Sequence, residues 1–204
     1  MDSNTPYMAS LTREPFMFYE MKLTVELLNK GMPPEKVVEK IIKENLYQYP
    51  TERSLKTRSR ACLKRLKHLD DEMLTWVENR PIDVAKQICL YALMKDSRLI
   101  CEFMITVIGE KYDTKDFSYS RNDIRLFFRR IQEQNKQVAS WSESTIKKLM
   151  SVVSGLLKDT GYIDKTNSKR LNEVLLDYKL KEKIIENDDR KMLSAFNCFE
   201  VDLL

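Results

Sequence analysis

Glycine, histidine and late proline are what this sequence has least of. Four glycines serve 204 residues, histidine occurs once, at position 68, and every proline lies at or before position 81. So few glycines leave little room for a turn-dense β-sandwich or for Gly-rich phosphate loops. A stretch of 123 residues without proline favours long helices. A single histidine excludes His-rich metal sites. The cysteines at 62, 89, 101 and 198 contain no Cys-x-x-Cys pair, so neither a zinc site nor a disulfide framework is expected, and they read as buried, reduced thiols. The longest run lacking Asp, Glu, Lys and Arg is ten residues, 3–12, and it is mostly polar. A membrane-spanning helix needs about 20 apolar residues, so no membrane insertion is expected. Met1-Asp2-Ser3-Asn4-Thr5-Pro6 has neither the basic region nor the apolar core of a secretory signal, and the expected location is the cytoplasm.

What is present is a globular composition, 43% hydrophobic and 32% charged, with periodic apolar positions. The spacing predicts a helix from Phe16 to Lys30 ending at Gly31, and a second from Pro33-Pro34 carrying Val37, Val38, Ile41 and Ile42. Tyr47-Gln48-Tyr49-Pro50 breaks it, and Thr51 caps a third helix reaching about Leu69. Asp70 caps a short helix with Met73, Leu74, Trp76 and Val77, and Pro81 opens another. Leu99 to Ile108 reads as a central buried helix stopping near Gly109. Ser120 to Asp123 resembles a capping box ahead of Ile124, Phe127, Phe128 and Ile131, and a further helix runs from Ser142–Ser144 to Thr160, ended by Gly161. The expected fold is all-α: a compact multi-helix protein with an N-terminal helix-turn-helix-like unit and a C-terminal helical part with room for a small winged-helix-like β-hairpin. The expected organisation is a loose arm over 1–15, a helix-turn-helix-like domain over 16–80, and a helical domain over 81–204 with the wing near 162–171.

The net charge of +4 conceals a pattern. Residues 51–70 carry seven basic and two acidic side chains, residues 121–170 eleven and five, and the remainder sums to −7. In the first segment the cations are Arg53, Lys56, Arg58, Arg60, Lys64, Arg65 and Lys67. At about 100° per residue, Arg53, Lys56, Arg60, Lys64 and Lys67 share an arc of about 80°. Leu55, Cys62, Leu66 and Leu69 form the packing face opposite, flanked by Arg58 and Arg65. Lys56, Arg60 and Lys64 repeat a like charge every four residues, which weakens a helix standing alone. A solvated face would ordinarily mix signs, so an anionic partner is the favoured reading, and double-stranded DNA gains affinity from each phosphate neutralised. The order of helices, with the basic one second, is that of a helix-turn-helix.

Two further basic surfaces follow. Arg121, Arg125, Arg129 and Lys136 line one side of the helix beside Phe127, Phe128 and Ile131, where a water-facing surface is the competing reading. On the next helix, Ile146, Leu149, Met150, Val153 and Leu157 pack while Lys147, Ser151, Ser154 and Lys158 lie opposite. Beyond Gly161, a loop with Lys165, Lys169 and Arg170 has the shape of a wing touching the phosphate backbone, or else of an ordinary polar turn.

No catalytic motif occurs: Walker A, G-x-G-x-x-G, G-x-S-x-G and H-E-x-x-H are all missing. His68 reads as a cation at a helix C-terminus rather than half of a Cys–His or Ser–His pair. Asp70-Asp71-Glu72 and Asp188-Asp189 read as acidic helix starts, not metal clusters. No enzyme, metal or cofactor is expected.

The stretch Trp141-Ser142-Glu143-Ser144-Thr145-Ile146-Lys147-Lys148-Leu149, followed by Gly161-Tyr162-Ile163, resembles the characteristic C-terminal part of the BrxA proteins of bacterial BREX phage-defence systems. Thr57 to Leu69, the Trp76 helix and the apolar helix from Pro81 are similar to that family in order and spacing, and the likeness covers about residues 16–185. The resemblance implies a small, all-helical cytosolic accessory protein that binds DNA without known catalysis, beside a methyltransferase, an ATPase and a phosphatase-like component. Lys147 and Lys148 match the family's paired lysines, which would contact phosphate. Other BREX components are thus implied partners. The alternative function is a helical adaptor docking the same basic helix on an acidic protein surface. RNA ranks third, because no aromatic–basic stacking motif favours it. Oligomeric state is not legible.

Overall fold

A computed structural model describes residues 5–199, in which eleven α-helices and no β-strand are found. The described chain is therefore all-α. It forms two compact units, one comprising 17–96 and the other 97–199 together with 5–16.

In the first unit α1 (Phe18–Asn29), α2 (Pro34–Lys43), α3 (Glu52–Leu66), α4 (Asp71–Asn79) and α5 (Ile82–Asp96) follow in order. Helix α1 packs on α3 and α4, α2 packs on α3, and α5 packs on both α3 and α4. Their shared core holds Met21, Val25, Val37, Ile41, Leu55, Cys62, Leu66, Met73, Val77 and Ile88, all essentially inaccessible. Gly31, at φ +78°, ends α1 in the left-handed region, with its N–H on Leu28 O and that of Met32 on Leu27 O. Thr51 caps α3 by accepting from Ser54 N, and Asp70 caps α4 by accepting from Met73 N.

The link between α2 and α3 differs from expectation. A helix-turn-helix turn takes about three or four residues, whereas residues 44–51 separate Lys43 from Glu52. The longer link arises because Asn45 and Gln48 adopt left-handed backbone, and because Tyr47 and Tyr49 tie it to α1 through Thr24 and Glu20.

In the second unit α6 (Arg98–Phe103), a π-helical stretch (Met104–Gly109) and α7 (Glu110–Asp113) run on continuously. The buried helix thus passes through Gly109 instead of stopping there. Glycine is needed at 109 for another reason: a Cβ would lie 2.6 Å from Ser194 Oγ and 3.2 Å from the Ser194 carbonyl carbon. A 3₁₀ helix, Arg190–Phe196, packs closely against the π-helical stretch and buries Met192, Leu193, Ala195 and Phe196. Helix α11 (Tyr178–Glu186) packs against the same 3₁₀ helix.

The remaining helices are α8 (Arg121–Gln134), α9 (Lys136–Ala139) and α10 (Glu143–Asp159). Ser120 and Asp123 form the expected capping box, and α8 packs against α10. Residues 5–15, expected as part of a loose arm, are held in place instead. Tyr7 and Leu11 are buried, Tyr7 donates to Glu102, and Arg98 donates to Thr5 O at 2.9 Å. Burial of Tyr7 and Leu11, together with the hydrogen bonds at Glu102 and Thr5, offsets part of the entropy lost in ordering the segment. Residues 1–4 of that arm lie outside the described residues.

The hairpin expected near 162–171 does not form as a ladder. An isolated antiparallel bridge joins Ser118 and Arg170, flanked by Tyr119 N to Lys169 O and Leu171 N to Phe117 O. Asn172 N reaches Tyr162 O at 2.9 Å, which closes the loop at its base. The returning segment therefore finds its main backbone partner before α8 rather than in a paired strand after α10.

Candidate nucleic-acid interface

Helical periodicity alone arranges the cations of α3, and packing decides which reach water. Leu55, Cys62 and Leu66 face the core, so the residues opposite are forced outward. Arg53, Lys56, Arg60 and Lys64 are exposed on the helix, and Lys67 at its C-cap is exposed too. These are the five side chains that share the 80° arc. Among them an ion pair is formed by Lys64, whose Nζ lies 2.8 Å from Asp96 Oδ1. His68 Nε2 is 3.8 Å from the same carboxylate oxygen. Burial lowers the His68 pKa most, Asp96 raises it, and Lys67, Lys95 and Lys64 lower it further.

Two of the expected contacts behave differently. Arg58 is half-buried, its guanidinium 4.1 Å from the centre of the Tyr49 ring, where cation–π attraction holds it at the edge of the packing face and away from the arc. Arg65 is 2% exposed and lies within the core of its unit. It cannot touch a phosphate. Its place at the edge of the apolar stripe brings it under neighbouring helices, and a nearly fully covered guanidinium must be satisfied inside the protein.

In the second unit Arg121, Arg125 and Arg129 are exposed along α8, with Arg125 donating to Asn122. Arg130, which the sequence pattern did not single out, donates to Thr106 and sits 5.7 Å from the Phe127 ring centre. Ser142 caps helix α10, its hydroxyl accepting from Thr145 N at 3.2 Å. Lys147 pairs with Glu143 at 3.1 Å in full view of solvent, a contact of small energetic consequence. Lys148 and Lys158 are exposed. Ser154, expected beside them, is buried at 2% near Tyr119, because it lies next to Val153 and Leu157 on the edge of the packing face. Lys165, Lys169 and Arg170 are exposed on the loop, and Arg170 is 5.6 Å from the Phe117 ring centre.

Burial raises the Cys62 thiol to about 12 and that of Cys101 to about 11, and it pushes Cys89 up as well, so these are not thiolates near neutrality. No group of three or more His, Cys, Asp or Glu that could hold a metal ion occurs among the described residues. No helix among them is long and apolar enough to cross a membrane.

Comparisons with known proteins add a family signal. The BrxA family model matches residues 5–188. The chain is 37% identical over 164 residues to the BREX protein BrxA of Bacillus cereus (strain H3081.97), covering 80% of this chain and 82% of that one. It is 22% identical over 184 residues to the BREX protein BrxA of Paramagnetospirillum magneticum (strain ATCC 700264 / AMB-1), covering 90% and 91%. A crystal structure of an uncharacterized protein from Magnetospirillum magneticum has a similar fold, with a TM-score of 0.79 at 21% identity, over 94% of this chain and 98% of that one.

Proposed function

The chain belongs to the BrxA family of BREX phage-defence proteins, and from that premise we propose that it is a non-catalytic accessory protein that binds duplex DNA. The observation that carries this reading is the α3 face. Five exposed cations crowd one side of a helix, three of them at the i, i+4 spacing that makes them repel one another. Evolution tolerates such repulsion most readily where polyanion binding repays it, since each phosphate neutralised releases a condensed counterion. Arg121, Arg125 and Arg129, and the cations of α10 and the 165–170 loop, supply further phosphate contacts. Two of the exposed α3 cations are arginines, which suits phosphate geometry through their planar fork of donors. The non-catalytic part of the reading is supported by buried, neutral thiols and by a lone histidine placed among lysines and one aspartate.

Electrophoretic mobility shift on duplex DNA across a salt series tests the proposal. Affinity should fall about linearly in log–log terms as salt rises. The combined Lys56→Glu, Arg60→Glu, Lys64→Glu variant should lose nearly all binding while retaining its circular dichroism spectrum. Unchanged affinity in that variant removes α3 from the interface. Capture of BREX components from nuclease-treated lysate by the same cations, with no affinity for purified DNA, supports a protein-docking role in its place.

A further inference from the structure

In the second unit α8 lies beside the continuous run of α6, the π-helical stretch and α7, and a cleft of about 350 Å³ opens between them. The two run antiparallel, because Arg130 donates to Thr106 Oγ1 at one end while Asp123 Oδ1 lies 3.5 Å from Lys111 Nζ at the other. From Asp123 to Arg130 α8 climbs about 10 Å. Over that length the helices stay apart, so Leu126 is 47% exposed on the rim while Phe127, 2% exposed, forms the floor. Phe127 is fixed there, its ring nearly perpendicular to those of Phe103 and Phe128. A π-helical turn is uncommon and recurs at functional sites. Both sides of this one are used: Gly109 meets the 3₁₀ helix, and Thr106 and Val107 line the cleft.

The charges at the cleft are of two kinds. Lys111 is neutralised, with Nζ 2.9 Å from Asp116 Oδ2 and 3.5 Å from Asp123 Oδ1 and the side chain 16% exposed. Arg130 and Glu110 are exposed and line the cleft, yet neither forms an ion pair among the described residues. Arg130 uses a guanidinium N–H on Thr106, whose own hydroxyl donates to Glu102 O at 2.8 Å, and rests 5.7 Å from the Phe127 ring centre. Those contacts fix the guanidinium and leave it further donors for a carboxylate. Glu110 stands one helical turn beyond Thr106 on the opposite wall, about 6 Å along the axis. The walls therefore hold a guanidinium and a carboxylate apart, with the apolar surface of Val107, Leu126 and Phe127 beside them. A ligand that completes this arrangement carries an anion, a cation and an apolar group on one small frame. An α-amino acid does so. Its carboxylate and ammonium share one carbon, and with a charge-assisted hydrogen bond of about 2.8 Å at each end it bridges the two walls. The volume lies at the small end of the range for ligand sites, about 300–1,000 Å³, which suits a ligand of that size.

We propose that this cleft binds a free apolar α-amino acid of the leucine, methionine or phenylalanine kind, with its carboxylate on Arg130, its ammonium on Glu110 and its side chain over Phe127 against Val107 and Leu126. The site is separate from the α8 stripe assigned to phosphate, since Arg125 and Arg129 lie about 140° and 100° around the helix from Arg130. It goes beyond the DNA-binding reading and does not depend on it.

Titration of the full ¹⁵N-labelled chain with L-leucine, L-methionine and L-phenylalanine, followed by NMR, tests the proposal. Saturable amide shifts confined to residues 106–114 and 123–130 are expected with at least one of them. Arg130→Ala and Glu110→Gln should each weaken that binding about tenfold or more. Both side chains are exposed, so the melting temperatures should change little. The N-acetyl derivative of the amino acid that binds lacks the ammonium, and its amide lacks the carboxylate. Each should bind about tenfold more weakly than the parent. Undiminished binding of the N-acetyl derivative would overturn the inference and assign the cleft to the carboxyl terminus of a polypeptide. Shifts that fail to saturate with all three amino acids would overturn it too, as would native affinity in both variants.

Discussion

Lys64 Nζ lies 2.8 Å from Asp96 Oδ1, so one of the five arc cations of α3 is partly neutralised by the last residue of α5. The Lys64 side chain is 59% exposed and the Asp96 side chain 13%. The carboxylate is held while the ammonium remains within reach of a ligand. The cationic face is therefore weaker than the sequence count implies, and its strength can be raised. Asp96→Asn should increase duplex DNA affinity several-fold at low salt and steepen the salt dependence, at a stability cost of about 1 kcal/mol, because the lysine end of the pair is solvated. Fluorescence anisotropy over a salt series checks this, and weaker binding in the variant would place Asp96 in a supporting role for the site.

Arg65 and Arg60 make an opposed pair. Arg65→Ala removes a side chain buried to 98% and should cost about 3 kcal/mol of stability, leaving DNA affinity unchanged below the lowered melting point. Arg60→Ala should leave the melting temperature within a degree or two and weaken DNA binding. Denaturant unfolding and anisotropy on the two variants separate core from interface.

Gly109→Ala should destabilise the second unit by about 1–3 kcal/mol, because the new methyl meets Ser194 Oγ and the backbone behind it. Ser194→Ala in the same chain should recover part of the loss by removing the nearer atom. Faster proteolysis after Lys191 in the single variant, reversed in the double, would locate the disturbance in the 3₁₀ helix.

Alkaline pH should unfold the protein progressively. Burial holds Cys62 near 12 and Cys101 near 11 in the folded chain, against about 9 when exposed. Between pH 9 and 11 the unfolded chain releases these protons and the folded chain keeps them. The unfolded state then binds fewer protons, so stability is fully present below pH 9 and declines above it, by roughly 1 kcal/mol per pH unit for each thiol. Urea unfolding at stepped pH measures the decline. Cys62→Ala should start less stable at pH 8 yet lose stability more slowly above pH 9.

The α3 arc, the caps at Thr51, Asp70, Ser120 and Ser142, and the left-handed glycine ends at Gly31 and Gly161 were all legible in the sequence. Each depends on residues within about one or two helical turns, and the 3.6-residue period carries that information without reference to the rest of the fold. Arg65 was not legible in the same way. It sits at the edge of an apolar stripe, and whether an edge position is covered depends on how neighbouring helices settle against α3. The pairing of Lys64 with Asp96 and the bridging of 117–119 to 169–171 were decided by tertiary structure for the same reason. Gly155 lies between the two cases: the sequence shows a glycine mid-helix, and only the space around it shows that nothing inside the protein requires one. Periodicity determines which way a side chain points from its own helix, and packing at long range determines what it meets there.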